Sequence, residues 1–175
     1  MGEISWDLYE TRINIDGSTN RERNINRLKR SMLDNIQDSP SYKTVTIGSV
    51  NRNVVINDKQ NLNKKDIVSL PEETFYVGEY VGYLNSNWLI TAISDNDIYT
   101  KGEMSLCSLL LKWQNQSGEI ISRWAVVDKA FPSLDGGNVI ITSDKKMYIK
   151  LPFCLNSQSL FVNKRFLLEK ANGIP

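Results

Sequence analysis

A chain of 175 residues, 41% of them hydrophobic and four of them tryptophan, has enough apolar area to bury a core, which excludes intrinsic disorder. Its 21 Lys and Arg against 20 Asp and Glu leave a formal net charge of +1, so no global field draws it to nucleic acid or to an anionic membrane. The two cysteines, Cys107 and Cys154, are too few to staple a secreted mini-domain and sit among apolar residues, where free buried thiols are expected.

The N-terminal run MGEISWDLYETR has neither the positive n-region nor the apolar h-region of a signal peptide, so export by that route is not expected. No apolar run approaches the roughly 20 residues of a membrane helix, and no membrane partner is expected. From Ser18 to Gln37 the residues Ile25, Leu28, Met32 and Ile36 recur at three- and four-residue steps, which predicts a helix with one apolar stripe. Thr19 and Glu22 have the spacing of a capping box, and Pro40 marks the stop. Residues 1–40 are therefore expected to form an N-terminal arm with a helix, and 41–170 an antiparallel β domain.

After Pro40 short β-branched and aromatic runs alternate with Gly, Asn and Asp clusters. The predicted strands are Tyr42–Ile47, Asn53–Ile56, Phe75–Tyr83, Trp88–Ile93, Met104–Trp113, Glu119–Val127, Asn138–Thr142, Met147–Leu151 and Leu160–Leu168. Gln114 to Gly118 is a loop of hairpin length with a glycine, so the strands flanking it should pair antiparallel. The Asn85-Ser86 turn predicts a second hairpin, from Phe75–Tyr83 to Trp88–Ile93. Asn57 to Asp66 is rich in Asn, Lys and Asp with only Leu62 apolar, and reads as an exposed loop. The fold class is mainly β: a small antiparallel barrel or sandwich preceded by a helical arm.

Catalytic chemistry finds little support. The chain has no histidine, which removes the commonest general base, the His-activated nucleophiles and the commonest transition-metal ligand. There is no phosphate-binding glycine loop, and the cysteines lack zinc-ligand spacing. Asp95-Asn96-Asp97 with Gly102-Glu103 lacks the register of a calcium loop and reads as a polar turn. The protein is expected not to be an enzyme and to need no cofactor and no metal. Arg21, Arg23, Arg27, Lys29 and Arg30 form a positive cluster on the helix, which suits either a solvated face or contact with phosphates or an acidic partner. A companion helix for reading DNA is missing, so no sequence-specific nucleic acid is expected. Trp88, Trp113 and Trp124 sit at strand positions, where core packing is the expected role rather than a platform for a sugar.

The order Ser41-Tyr42-Lys43-Thr44-Val45-Thr46-Ile47, Val54-Val55-Ile56, Gly78-Glu79-Tyr80-Val81-Gly82-Tyr83 and Trp88-Leu89-Ile90-Thr91 resembles bacteriophage head-closure and head-tail connector proteins, many of which carry a Gly-acidic-x-Val … Trp-Leu-Val hairpin in a small barrel. Thr100-Lys101-Gly102-Glu103-Met104, the run through Cys107 to Leu111-Lys112-Trp113, and Asn163-Lys164-Arg165-Phe166 are similar to segments of prophage structural proteins of low-GC Gram-positive bacteria. The resemblance covers residues 41 to 168, and this chain is longer than the small stopper proteins, with extra strands after Val127, which leaves open a collar, adaptor or other neck role.

What the resemblance implies is a non-catalytic virion protein assembled in the host cytoplasm, forming a homo-oligomeric ring in the neck between portal and tail. Its partners would be copies of itself and neighbouring connector, portal or tail proteins. Trp6, Ile25, Leu28, Met32, Arg27 and Arg30 are the expected assembly contacts, with the arm from Trp6 to Gln37 docking on an adjacent subunit or connector. The competing expectation is a β-sandwich module that binds carbohydrate or a protein partner.

Overall fold

The computed structural model describes residues 6–128, 134–135, 138–139, 148–160 and 165–170. The arm holds two helices, α1 (Trp6–Ile13) and α2 (Asn20–Ile36). The expected capping box is formed: the Glu22 amide donates to Thr19 Oγ1 at 3.2 Å, and the Thr19 amide donates to the Glu22 carboxylate at 3.2 Å. These bonds satisfy amide donors that the first helical turn leaves without partners. The sequence reading found α2 and passed over α1.

The body begins with β1 (Tyr42–Ile47), β2 (Val50–Asp58), β3 (Lys64–Ser69), β4 (Tyr80–Tyr83), β5 (Ser86–Asp95) and β6 (Thr100–Leu106). They close into an antiparallel barrel in the order β1-β2-β3-β6-β5-β4, with β4 pairing back on β1 through Ile47 opposite Val81. Closure removes every open edge from this half of the molecule. Alternate residues point inward, as the two-residue period of strands requires, so Val45, Ile47, Val54, Ile56, Ile67, Val81, Trp88, Ile90 and Met104 make one buried cluster with Phe75.

Four strands follow: β7 (Leu109–Gln114), β8 (Ile120–Asp128), β11 (Tyr148–Lys150) and β12 (Leu167–Lys170), paired as β11-β8-β7-β12, all antiparallel. A small hairpin of β9 (Leu134–Asp135) and β10 (Asn138–Val139) lies between β8 and β11 in the chain. One face of β8 turns Trp124 and Val126 toward Leu89, Tyr80 and Cys107, so the outer side of β5 is covered by this second sheet at Leu89. The other face gathers Leu109, Leu111, Trp113 and Ala125, with Ile121, Val127, Ile149, Leu151 and Leu160 around them.

The predicted strand Met104–Trp113 is two strands. Met104 of β6 fills the barrel core, whereas Leu109, Leu111 and Trp113 of β7, on the other parity, fill a separate cluster, and a continuous strand cannot change parity. The change is made at Cys107 and Ser108, whose amides donate to Asn87 O at 2.9 Å and Ala125 O at 3.1 Å. The predicted exposed loop Asn57–Asp66 is likewise corrected, since its ends belong to β2 and β3 and only 59–63 connect them. Its charges mislead because they are neutralised across strands. Asp66 lies directly opposite Glu103, a like-charged pair, and Lys59 reaches between them at 2.9 Å and 2.6 Å. Lys64 adds a bond to Glu103 at 2.9 Å. Lys65, on the inward parity, caps the barrel core with its ammonium 5.4 Å from the Trp88 ring centre and 5.9 Å from that of Tyr83.

The predicted strand Phe75–Tyr83 shrinks to β4, because residues 76–79 form a turn in which the Tyr76 amide donates to the Glu79 carboxylate. Both predicted hairpins form, as β4 with β5 and β7 with β8. Of Asn138–Thr142 only Asn138–Val139 is seen as strand, and 140–142 lie outside the described residues, as does Met147 at the start of the strand expected before Leu151. Leu160–Leu168 is corrected to Leu167–Lys170, with 161–164 outside the described residues.

Candidate assembly surface

The arm presents an apolar stripe that the rest of the described chain leaves open. Trp6, Tyr9 and Ile13 recur at three and four residues along α1, and Trp6 is 71% exposed. Trp6 and Tyr9 meet edge to face with ring centres 5.9 Å apart. Ile15, in the turn after α1, and Leu28 and Leu33 on α2 are exposed as well. Exposed apolar side chains gathered on one helix face make this stripe the candidate interaction surface among the described residues.

The turn between the helices is built to a fixed shape. Gly17 has φ of +131°, and a Cβ there would lie 2.5 Å from Glu22 Cβ, so only glycine fits. Arg23 donates to Gly17 O at 3.0 Å and Asn26 to Asp16 O at 2.7 Å, while Arg30 pairs with the Asp16 carboxylate. Two further cations tie α2 to the body: Arg21 pairs with Asp97 in the β5–β6 turn, and Lys29 with Glu72, 3.4 Å away, in the β3–β4 connection.

The positive cluster keeps the solvated face that the sequence suggested, with Arg21, Arg27 and Arg30 exposed, and adds ion pairs to the body and to the turn. Arg21, Arg23, Lys29 and Arg30 shape the arm and fasten it, and Arg27 remains exposed. Of the expected contacts, Trp6 and Leu28 are exposed, Ile25 and Met32 are half-buried, Arg27 is exposed and Arg30 is exposed but paired. Tyr9, Ile13 and Ile15 were missed, although the spacing from Trp6 to Ile13 was readable. Ile36, at the end of the same stripe, is buried.

The remaining chemical groups are structural. Trp88 and Trp113 are buried and Trp124 is half-buried against the barrel. Asn96 Oδ1 accepts from the amides of Ile98 and Tyr99, making the polar turn expected at Asp95-Asn96-Asp97. Burial pushes the Cys107 thiol up to about 12, which makes it inert at neutral pH. Burial raises Cys154 too, but the Ser157 and Asn156 amides, the Ser157 hydroxyl and Arg123 outweigh it and hold that thiol below its usual value. Among the described residues no group of three or more Cys, Asp or Glu is placed to hold a metal ion, and no helix is long and apolar enough to cross a membrane.

A family model described as the YomX N-terminal domain matches residues 8–106, more than half of the chain. The match runs through the arm and the barrel and stops at the last residue of β6, where the strand parity changes. No curated protein and no solved structure matches.

Proposed function

This chain belongs to the YomX N-terminal domain family, which is phage-associated, and on that premise we propose that it is a non-catalytic virion protein that assembles into a ring in the phage neck, between portal and tail. The observation that carries the reading is the exposed stripe of Trp6, Tyr9 and Ile13 on an arm fastened to a closed barrel by Arg21–Asp97 and Lys29–Glu72. A ring subunit needs two different surfaces that fit each other, because its contact is head-to-tail, and an arm standing off the body supplies one of them.

The barrel supplies the rigid body. In this role α1 and the outer face of α2 dock on an adjacent subunit or on the connector above, burying Trp6, Tyr9, Ile13 and Leu28. The family match supports a phage protein, and the resemblance of residues 41 to 168 to head-closure proteins supports the neck.

The test is the double variant Trp6→Ser, Tyr9→Ser. Both side chains are exposed, so the barrel should keep its circular dichroism spectrum and unfolding midpoint while assembly is lost. Assembly at the wild-type level would remove the arm from the contact.

A further inference from the structure

The second sheet provides the other half of a self-association surface, and this inference rests on the ring reading above. Among the described residues its two outer strands, β11 and β12, each have one neighbour, whereas every barrel strand has two. Strand directions alternate throughout the order β11-β8-β7-β12. With an even number of alternating strands, a second copy in the same orientation sets its β12 beside the first copy's β11 running the opposite way. The antiparallel pattern then continues across the junction without inversion.

We infer that β11 of one copy pairs antiparallel with β12 of the next, so that the four-stranded sheets join edge to edge around the assembly. Side-chain faces select the register. Ile149 shares the apolar face with Val127, its partner in β8, and Leu168 shares it with Leu111, its partner in β7. Placing Ile149 opposite Leu168 extends that face across the junction. The same register puts Lys150 opposite Leu167 and Tyr148 opposite Glu169, with Lys150 diagonal to Glu169.

Cross-strand diagonal neighbours lie roughly 7–8 Å apart, which brings Lys150 near the existing Lys112–Glu169 ion pair, and the register is carried by the apolar residues. Leu167 and Leu168, together with Tyr148, are exposed in the single chain and would be covered. An edge left without a second neighbour among the described residues is a template for another strand. The two edges differ, so the contact is head-to-tail and propagates, as a ring requires.

The test is cysteine pairing in the full chain, with Cys154→Ser to silence the half-buried thiol and buried Cys107 left in place. Ile149→Cys with Leu168→Cys, and separately Tyr148→Cys with Glu169→Cys, are oxidised mildly and run without reductant. Within one chain the paired positions are three strand spacings apart across the sheet and offset along it, a separation of more than about 14 Å, too far for a disulfide. Both pairs should give a ladder of covalent multimers, and each single cysteine should give none.

Rings in electron micrographs without a ladder from either pair would overturn this interface and leave the ring reading standing. A dimer from Leu168→Cys alone would overturn it in favour of a two-fold contact. Monomer at every concentration, with no ladder, would take down both.

Discussion

The phenol of Tyr80 donates to the main-chain oxygen of Trp124 at 2.6 Å, joining the outer face of the barrel to the second sheet. Burial, with smaller contributions from Cys107 and Cys154, raises the phenol above its ordinary range, so it stays a donor at any physiological pH. Tyr80→Phe removes the donor and keeps the ring. The expected cost is about 1 kcal/mol of stability in urea unfolding, with a change in Trp124 emission. An unchanged midpoint would mean that the apolar contacts of Leu89, Cys107 and Val126 hold the two halves together unaided.

Gly102 is where the barrel wall comes closest to its filling. A Cβ there would lie 2.7 Å from Phe75 Cε2, 3.0 Å from Ala92 O and 3.2 Å from Ile67 Cγ2. Gly102→Ala is expected to destabilise the barrel by about 1–3 kcal/mol, the range for overpacking a full core. Adding Phe75→Leu should relieve part of that loss, because the ring is the closest obstacle, and denaturant midpoints of the two variants measure it.

The Lys59–Glu103 network gives stability a pH window. Hydrogen bonds from Lys59 and then Lys64 hold the Glu103 carboxyl below its usual value, and bonds to Glu103 and then Asp66 raise Lys59. A depressed carboxylate contributes above its unfolded pKa of ~4.3 and loses that contribution as pH falls through the folded value. A raised lysine contributes below ~10.4 and loses it as pH rises through its folded value. Glu103→Gln should lower the urea midpoint between these limits and match the wild type at more acidic pH. A difference that persists undiminished in acid would show that the loss was packing rather than charge.

Thr19 caps α2 from outside the barrel. Thr19→Ala is expected to cost about 1 kcal/mol of helix stability. Amide exchange in the first turns of α2 should accelerate, while the barrel amides stay protected. Equal acceleration in both would mean that arm and barrel unfold as one unit.

Much of this architecture was readable from residue order alone, and the failures have identifiable causes. The helix from Thr19 and the hairpin around Gly118 carry local signals, a capping box and a glycine turn, that do not depend on distant partners. Strand β3 was missed because Lys64-Lys65-Asp66 resembles a solvated loop until Glu103 from β6 and the rings of Tyr83 and Trp88 are placed beside it. The break at Cys107 and Ser108 was hidden because Leu106 and Cys107 before it and Leu109 and Leu110 after it are apolar at both parities, which conceals a change of parity. In the assembly surface, α1 is short, and its stripe of Trp6, Tyr9 and Ile13 gains significance only once the fold leaves it uncovered. The fastening role of Arg21 and Lys29 depends on Asp97 and Glu72, which lie far along the chain.

The most direct test of the ring reading is the mass of the purified full-length protein by light scattering across a concentration series, with electron microscopy of any large species. Discrete rings of one subunit number, lost in the Trp6→Ser, Tyr9→Ser variant, are expected. A strict monomer at every concentration, with Trp6 still open to a soluble quencher, would contradict it.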